Sequence, residues 1–332
     1  MNLQHRIDLF VELGNYLKKN EPGWQEIKEK AAQKNNWFSI DFIDIAVKNI
    51  IEEFLQKDKL EKWTSHYYID DPADIKNVGI VMAGNIPLVG FHDLLSVFIS
   101  GHRQTVKLSS KDDVLPEAII NYLYSLDEDV RNYISIADTL RGCDAYIATG
   151  SNQTSKYFEQ YFSKYPNIIR KNKTSVAILT GNETTEELEK LSDDIHLFFG
   201  LGCRNVTKIY VPAEYDFVPL LSSFKKYKHF RDHHKYANNY DYQLSLMLLN
   251  NQFYMTNEST LLAEQESVFS AISVLHYGYY EDAEKLSAAL QQNEDIQCIV
   301  GPFGIPFGQA QEPGLFNYAD GVDTMAFLLT LG

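Results

Sequence analysis

The chain has 332 residues, enough for two α/β domains and too many for one small module, because single hydrophobic cores stop growing near roughly 250–300 residues. Its 45 Asp and Glu against 30 Lys and Arg leave a formal charge of −15, which repels phosphate backbones and anionic lipid at long range and argues against nucleic acid as a partner. Three widely spaced cysteines, Cys143, Cys203 and Cys298, give neither a disulfide framework nor a zinc-ligand spacing. With no run of about 18 apolar residues, the expectation is a soluble, cytoplasmic protein without integral membrane association.

The first sixty residues read as helical. Leu3, Ile7, Phe10, Gly14 and Leu17 recur at helical spacing, Glu21-Pro22-Gly23 marks a turn, and Ser39 caps a further apolar-periodic run reaching Leu55. From Val78 the pattern changes to short apolar runs at 78–82, 104–108, 144–148 and 175–179, separated by helix-length segments. That alternation predicts a parallel sheet covered by helices. A charged helix over 183–192 leads to a second α/β series, with strands expected at 208–211, 273–277 and 296–300, and a domain boundary at roughly 185–200. The basic run Lys225-Lys226-Tyr227-Lys228 reads as a solvated helix face. The last stretch, 321–332, reads as a terminal strand that must find a partner.

Ligands of parallel α/β sheets collect at the carboxyl ends of strands, which directs attention to the loops after the first apolar runs. In Ala83-Gly-Asn-Ile-Pro-Leu-Val-Gly90, Gly84 permits close approach, and Asn85 either makes an Asn-type turn or offers an amide to a developing oxyanion. Lys107 ends a strand and can meet a phosphate or ribose. In Ala148-Thr-Gly-Ser-Asn-Gln-Thr154, backbone N–H groups and Ser151 either bind a pyrophosphate or simply cap a helix. Further on, Gly200-Leu-Gly-Cys-Arg204 delivers a thiol to the start of an apolar run. Taken alone, Cys203 is as readily a buried structural cysteine as a nucleophile. His229 and His233 lie four apart without a third ligand in view, so no metal is expected. His196 is close to Cys203 in sequence and is a candidate to tune the thiol, while Cys143 and Cys298 sit beside apolar runs as core residues.

In this order the fragments resemble the aldehyde dehydrogenase superfamily, and within it the fatty acyl-CoA reductase group. Gly79-Ile-Val-Met-Ala-Gly-Asn-Ile-Pro-Leu88 is similar to the superfamily segment ending in Asn-Phe-Pro-Leu. It is followed by Thr105-Val-Lys-Leu-Ser-Ser110, Ala148-Thr-Gly-Ser151, the Cys203 segment, Glu266-Ser-Val-Phe269 and Gly301-Pro-Phe-Gly-Ile-Pro-Phe-Gly308. The resemblance covers roughly residues 66–332 and implies two parallel-sheet α/β domains. They comprise an N-terminal helical segment at 1–65, a Rossmann-like nucleotide-binding domain at 66–190, a catalytic thiol domain at 191–305, and a C-terminal return segment with the terminal strand at 306–332.

The resemblance also implies roles. Cys203 would be the nucleophile, and Asn85 with the Cys203 backbone N–H would hold the oxyanion. Lys107, Ser109 and Ser110 would contact the adenosine ribose region, Gly150 and Ser151 the pyrophosphate, and Glu266 the nicotinamide ribose. Two departures refine this. Hydrolytic relatives carry Glu-Leu-Gly-Gly before a Lys-Ser pair, whereas this chain has Ile169-Arg-Lys-Asn-Lys-Thr174, so the carboxylate that activates water is missing. Ser110 stands where NAD-preferring relatives carry a Glu, which favours NADPH, with NADH as the alternative.

The implied activity is reduction of an acyl-CoA, expected to be fatty, to an aldehyde through a Cys203 acyl-enzyme, the thioester being a small-molecule partner and a homo-oligomer being allowed. A CoA-acylating aldehyde dehydrogenase or an acyl-phosphate reductase would use the same fold and thiol. A binding or scaffold protein without catalysis is the reading from another class. Phe91, Phe253 and Tyr254 would suit an acyl tunnel or an ordinary core equally.

Overall fold

Asn2 opens the first helix, its side-chain oxygen accepting the His5 N–H at 2.9 Å and so satisfying one of the donors that a helix start leaves free. In the computed structural model, which describes residues 1–69, 72 and 74–332, four helices precede the first strand: α1 (Leu3–Lys19), α2 (Pro22–Lys34), α3 (Ile40–Glu53) and α4 (Lys57–His66). Pro22 takes the first position of α2, where its missing N–H costs no bond, and Ser39 Oγ accepts the Phe42 N–H at 3.1 Å to start α3. Ile7, Phe10, Leu13 and Leu17 line one face of α1 and are buried together, with Phe10 edge-on to Phe98 at 5.4 Å.

The chain divides into two compact units, Met1–Asn172 with Pro313–Gly332, and Lys173–Glu312. After its four helices the first unit runs β1 (Asn77–Val81), α5 (Phe91–Ser100), β2 (Arg103–Lys107), α6 (Val114–Leu126), β3 (Ile134–Ile136), β4 (Ala145–Thr149), α7 (Asn152–Phe162) and β5 (Asn167–Arg170). The five strands are parallel in the order β3-β2-β1-β4-β5. The chain builds outward from β1 to β3 and then restarts on the other side with β4. The loops leaving β1 and β4 therefore flank the point where the strand order reverses, the usual ligand position in such sheets.

The second unit runs β6 (Thr174–Ile178), α8 (Thr185–His196), β7 (Val206–Val211), α9 (Phe217–Ser223), α10 (His234–Leu249), β8 (Met255–Thr256), β9 (Leu261–Glu264), β10 (Val274–Tyr279), α11 (Ala283–Gln291) and β11 (Ile296–Val300). Its sheet has the order β11-β6-β7-β10-β9-β8, parallel throughout except for the short β8–β9 pair. Thr184 and Glu187 form a reciprocal capping box at the start of α8.

Three expectations from the sequence are corrected. The apolar run 175–179 does not join the first sheet: as β6 it pairs with β7 and β11, so the crossing between units falls at 172/173 and not near 190. The C-terminal segment is not a strand but helix α12 (Thr324–Leu329). Asp323 accepts the Ala326 N–H at 2.8 Å, and Met325 and Leu328, three apart, are both fully buried in the core of the first unit; helical spacing outweighs apolar density here. The strands β3, β5, β8 and β9, all of four residues or fewer, escaped the pattern because such short runs carry little period-2 signal.

The returning segment is tied into the first unit by a hydrogen-bonded chain. Trp63 Nε1 donates to Tyr318 OH at 2.8 Å, Tyr318 OH to Tyr67 OH at 2.8 Å, and Tyr67 OH to Asp323 at 2.7 Å.

Candidate active site

In the first unit the loop after β1 is built on a close approach. A Cβ on Gly84 would lie 2.6 Å from Ser109 Oγ, so only glycine lets the two loops touch. Asn85 follows at once and is half-buried. Three residues later Leu88 adopts φ +57°, a left-handed conformation that costs a β-carbon residue free energy, and its N–H donates to Asp112 Oδ2 at 2.7 Å. Asp112 is buried, among the described residues its Oδ1 meets no hydrogen-bond donor, and burial pushes its carboxyl up to about 7. Asp112 therefore braces the Asn85 loop from beneath. Nothing in the sequence pattern marked it apart from its place in an acidic pair at a helix start.

Lys107 and Ser110 lie at the carboxyl end of β2 and line a cavity of about 300 Å³ with Leu108, Ile136 and the carboxylates Asp113, Glu117 and Asp138. Asp113 is paired with Lys34 at 2.5 Å. Ser109, adjacent in sequence, is used differently, packing on Gly84 and accepting the Lys111 N–H at 3.3 Å. At the end of β4, Gly150 fits beneath Thr154 and Phe158, and Ser151 caps α7 by accepting the Thr154 N–H at 3.3 Å. The helix-cap reading of Ser151 thus holds. The α7 N-terminus is nevertheless at the switch-point end of the sheet, where the helix dipole favours an anion.

The Cys203 turn in the second unit is held under strain. Phe198 and Phe199 both have φ +56° and Gly200 has φ +73°, three successive left-handed residues between α8 and β7. Each non-glycine residue in that region costs on the order of 1–3 kcal/mol and persists only where its surroundings fix it. Asn205 supplies the fixing. Its Oδ1 accepts the Gly202 N–H at 2.7 Å, while its Nδ2 donates to the carbonyls of Asp194, Ile195 and Leu197 at 3.1, 3.3 and 2.9 Å. Asp194 in turn accepts the N–H groups of Gly308 and Ala310 at 2.6 and 3.0 Å, joining the end of α8 to the Pro-Phe-Gly turn; burial pushes its carboxyl up to about 7. Cys203 emerges from this frame half-buried, its carbonyl accepting the Ser175 hydroxyl at 3.0 Å. Ser175 Oγ also contacts the Cys298 thiol at 3.0 Å, and burial pushes that thiol's pKa up. Asn205 was missed in the sequence, although an Asn two residues beyond a Gly-Leu-Gly-Cys turn is a readable turn signal.

Glu266 lies just beyond β9 with its side chain exposed. Both ring nitrogens of His196 are engaged away from the thiol: its Nδ1–H donates to Ser192 O at 2.8 Å and its Nε2 accepts from Thr260 at 2.8 Å. Burial lowers its pKa to about 4 and keeps it neutral. His233 caps α10, and His229 bonds the Lys226 carbonyl at 3.0 Å. Arg170, in the segment that replaces Glu-Leu-Gly-Gly, is committed to the interior of the first unit. Its guanidinium pairs with Asp93 of α5 and donates to Thr324 Oγ1 at 2.8 Å. Phe91 is core while Phe253 is largely exposed, so they do not form a common tunnel wall. Among the described residues no helix is long and apolar enough to cross a membrane.

Comparison with solved structures gives aldehyde dehydrogenases. Aldehyde dehydrogenase 21 from Physcomitrella patens, in complex with its product succinate, superposes with a TM-score of 0.68 at 13% identity, covering 91% of this chain and 74% of that one. An indole-3-acetaldehyde dehydrogenase with NAD+ gives 0.67 at 12% identity, covering 90% and 71%. An NAD-dependent aldehyde dehydrogenase from Sinorhizobium meliloti gives 0.65 at 10% identity, covering 90% and 70%. At these identities the likeness establishes the fold. Comparison with curated proteins finds no match. The model of the acyl-CoA reductase (LuxC) family matches residues 24–219, a span that contains Asn85, Lys107, Ser151 and Cys203. The chain has the aldehyde dehydrogenase fold and belongs to the acyl-CoA reductase (LuxC) family, oxidoreductases acting on acyl or aldehyde substrates.

Proposed function

We propose that the protein reduces an acyl-CoA thioester to an aldehyde through a covalent Cys203 acyl-enzyme, with NADPH as the hydride donor. The observation that carries this reading is the strained, Asn205-locked turn that presents Cys203 at the head of β7 in a chain of this family. Strain of this kind persists where a side chain must be held in one place. The Cys203 thiolate attacks the thioester carbonyl, CoA leaves as its thiol, and the acyl group is retained on Sγ. The Cys203 backbone N–H and the Asn85 amide are assigned to the oxygen that becomes negative at each tetrahedral stage. Once the acyl carbon has been reduced, the Cys203 thiolate is expelled again and aldehyde is released.

The residues of the first unit fit a dinucleotide. They offer a switch-point crevice, the α7 N-terminus for a pyrophosphate, and the cavity bearing Lys107 and Ser110 for an adenosine ribose. Bound there, the reduced nicotinamide would supply the hydride that the acyl carbon requires. Lys107 and the absence of a carboxylate at Ser110 favour a 2′-phosphate, whereas Glu117 and Asp138 on the same cavity oppose it. Segment 169–174 contains no carboxylate to activate water, and its Arg170 is held by Asp93 and Thr324, which favours reduction over hydrolysis.

The test is NADPH consumption by the purified protein with acyl-CoAs of graded chain length, alongside mass analysis for acyl-Cys203. Cys203→Ala is expected to lose both signals, and Asn85→Ala to lower kcat about 10²–10³-fold as other lost oxyanion donors do. Equal consumption by wild type and Cys203→Ala, or none with any thioester or aldehyde, refutes the proposal.

A further inference from the structure

The four main-chain carbonyls that follow β9 are all taken by side chains from neighbouring strands. Lys208 Nζ donates to Gln265 O at 2.7 Å and to Glu266 O at 2.8 Å. His276 Nδ1 lies 2.9 Å from Ser267 O, and Thr207 Oγ1 donates to Val268 O at 2.6 Å. Lys208 and His276 stand opposite one another in the β7–β10 pairing. Thr207 and Lys208 are consecutive and would point to opposite faces of a regular strand. They reach the same segment because β7 carries an extra residue there: Ser175 pairs with Val206 and Val176 with Lys208, leaving Thr207 over as a bulge that re-aims the strand.

Lys208 is 4% exposed, and among the described residues it forms no ion pair; its partners are neutral carbonyls and the Tyr210 ring, 4.8 Å from Nζ. Burying an ammonium without a contacting carboxylate is costly, and burial accordingly pushes its pKa down, against a smaller opposing pull from the negative charge of Glu266. A methionine would fill the same space without that cost. The lysine therefore serves the two carbonyls it holds. One belongs to Glu266, whose own carboxylate is exposed and, among the described residues, makes no hydrogen bond or ion pair. The backbone of this residue is fixed and its side chain is left for something else.

We infer that Lys208 is a positioning residue for cofactor binding, clamping segment 265–268 with Thr207 and His276 so that the Glu266 carboxylate is presented to a vicinal diol. An ionised carboxylate is acceptor-only and can take both hydroxyls of a cis-diol, provided that its main chain does not drift. The inference rests on the reading of Glu266 as the contact for the nicotinamide ribose. Lys208 touches neither substrate nor cofactor and acts through Glu266.

The test measures the NADPH dissociation constant by calorimetry for wild type, Glu266→Gln, Lys208→Met, Lys208→Arg and the Glu266→Gln/Lys208→Met double variant. Cofactor-free acylation of Cys203 by an acyl-CoA reports on the integrity of the second unit. Glu266→Gln and Lys208→Met are each expected to weaken NADPH binding about tenfold, in the range of one charge-assisted hydrogen bond, and the double variant no further than either. Lys208→Arg should recover affinity to within about threefold, because its fork still reaches two carbonyls. Amide hydrogen exchange over 265–268 should accelerate in Lys208→Met while Cys203 acylation stays at the wild-type rate.

If Glu266→Gln binds NADPH as wild type does, the ribose reading fails and the clamp's function fails with it. If Glu266→Gln weakens binding while Lys208→Met does not, or the two losses multiply, the clamp alone is overturned. Loss of Cys203 acylation in both Lys208 variants marks a role in the fold of the unit and also overturns it.

Discussion

The first unit's site loops and the Cys203 turn of the second sit at opposite ends of strands and are held by different means. In the first, Asn85, Lys107 and Ser151 leave the carboxyl ends of β1, β2 and β4, where any parallel sheet of this strand order gathers ligands. In the second, Cys203 enters β7 at its amino end, through a left-handed turn that no general rule of the fold supplies. The first arrangement draws on topology. The second depends on individual buried side chains, Asn205 for the thiol and Lys208 for the Glu266 segment. Among side chains that hold the site and do not react in it, single substitutions should therefore cost the first unit less than the second.

Asn205→Ala tests the strong side of that contrast. It removes four hydrogen bonds from a turn containing two strained phenylalanines, so a stability loss of about 3–5 kcal/mol is expected, with Cys203 acylation slowed roughly a hundredfold. A melting curve and an acylation rate both close to wild type would remove the distinction between the units.

Asp112→Asn probes the brace of the first unit through pH. The folded carboxyl, raised to about 7, lies above the unfolded value near 3.8, so its contribution is fully present below about pH 4 and is lost as pH rises toward 7. The amide cannot ionise and still accepts the Leu88 N–H. Denaturant titrations from pH 4 to 8 should show the variant gaining on wild type with rising pH, by about 1–3 kcal/mol at the top. Parallel stability curves would contradict the buried, unmet Asp112 Oδ1.

The smallest effect is expected at the cavity beside Lys107. Asp138→Asn removes one exposed negative charge from a wall facing the assigned 2′-phosphate and should raise the NADPH-to-NADH ratio of kcat/KM about three- to fivefold. An unchanged ratio would place the 2′-position elsewhere.

How much of this was legible in the sequence follows the same division. Glycine-containing loops after apolar runs located the first unit's ligand end, because strand period and turn chemistry are local properties. Asn85, Lys107 and Cys203 became candidates through the order of their motifs. The brace and the locks were not. Asp112, Asn205 and Lys208 act through contacts with Leu88, with the end of α8 and with 265–266, respectively, and those partners depend on tertiary folding. Lys208 sits inside Thr-Lys-Ile-Tyr-Val, which reads as a strand with one exposed cation, yet the bulge at Thr207 turns that cation inward. The terminal helix was misread for a related reason: Thr-Met-Ala-Phe-Leu-Leu is apolar enough for either element, and Asp323 and the waiting core decide between them.

The return of residues 313–332 to the first unit has a consequence for biosynthesis. Leu315, Tyr318, Met325 and Leu328 complete a core whose other members lie before residue 173, and the whole second unit is translated in between. On the ribosome the nascent first unit must wait with an apolar face uncovered while some 140 further residues emerge. The second unit, contiguous in the chain, can fold as soon as it is clear of the exit tunnel. The first unit is thus the first to emerge and the last to have its core completed.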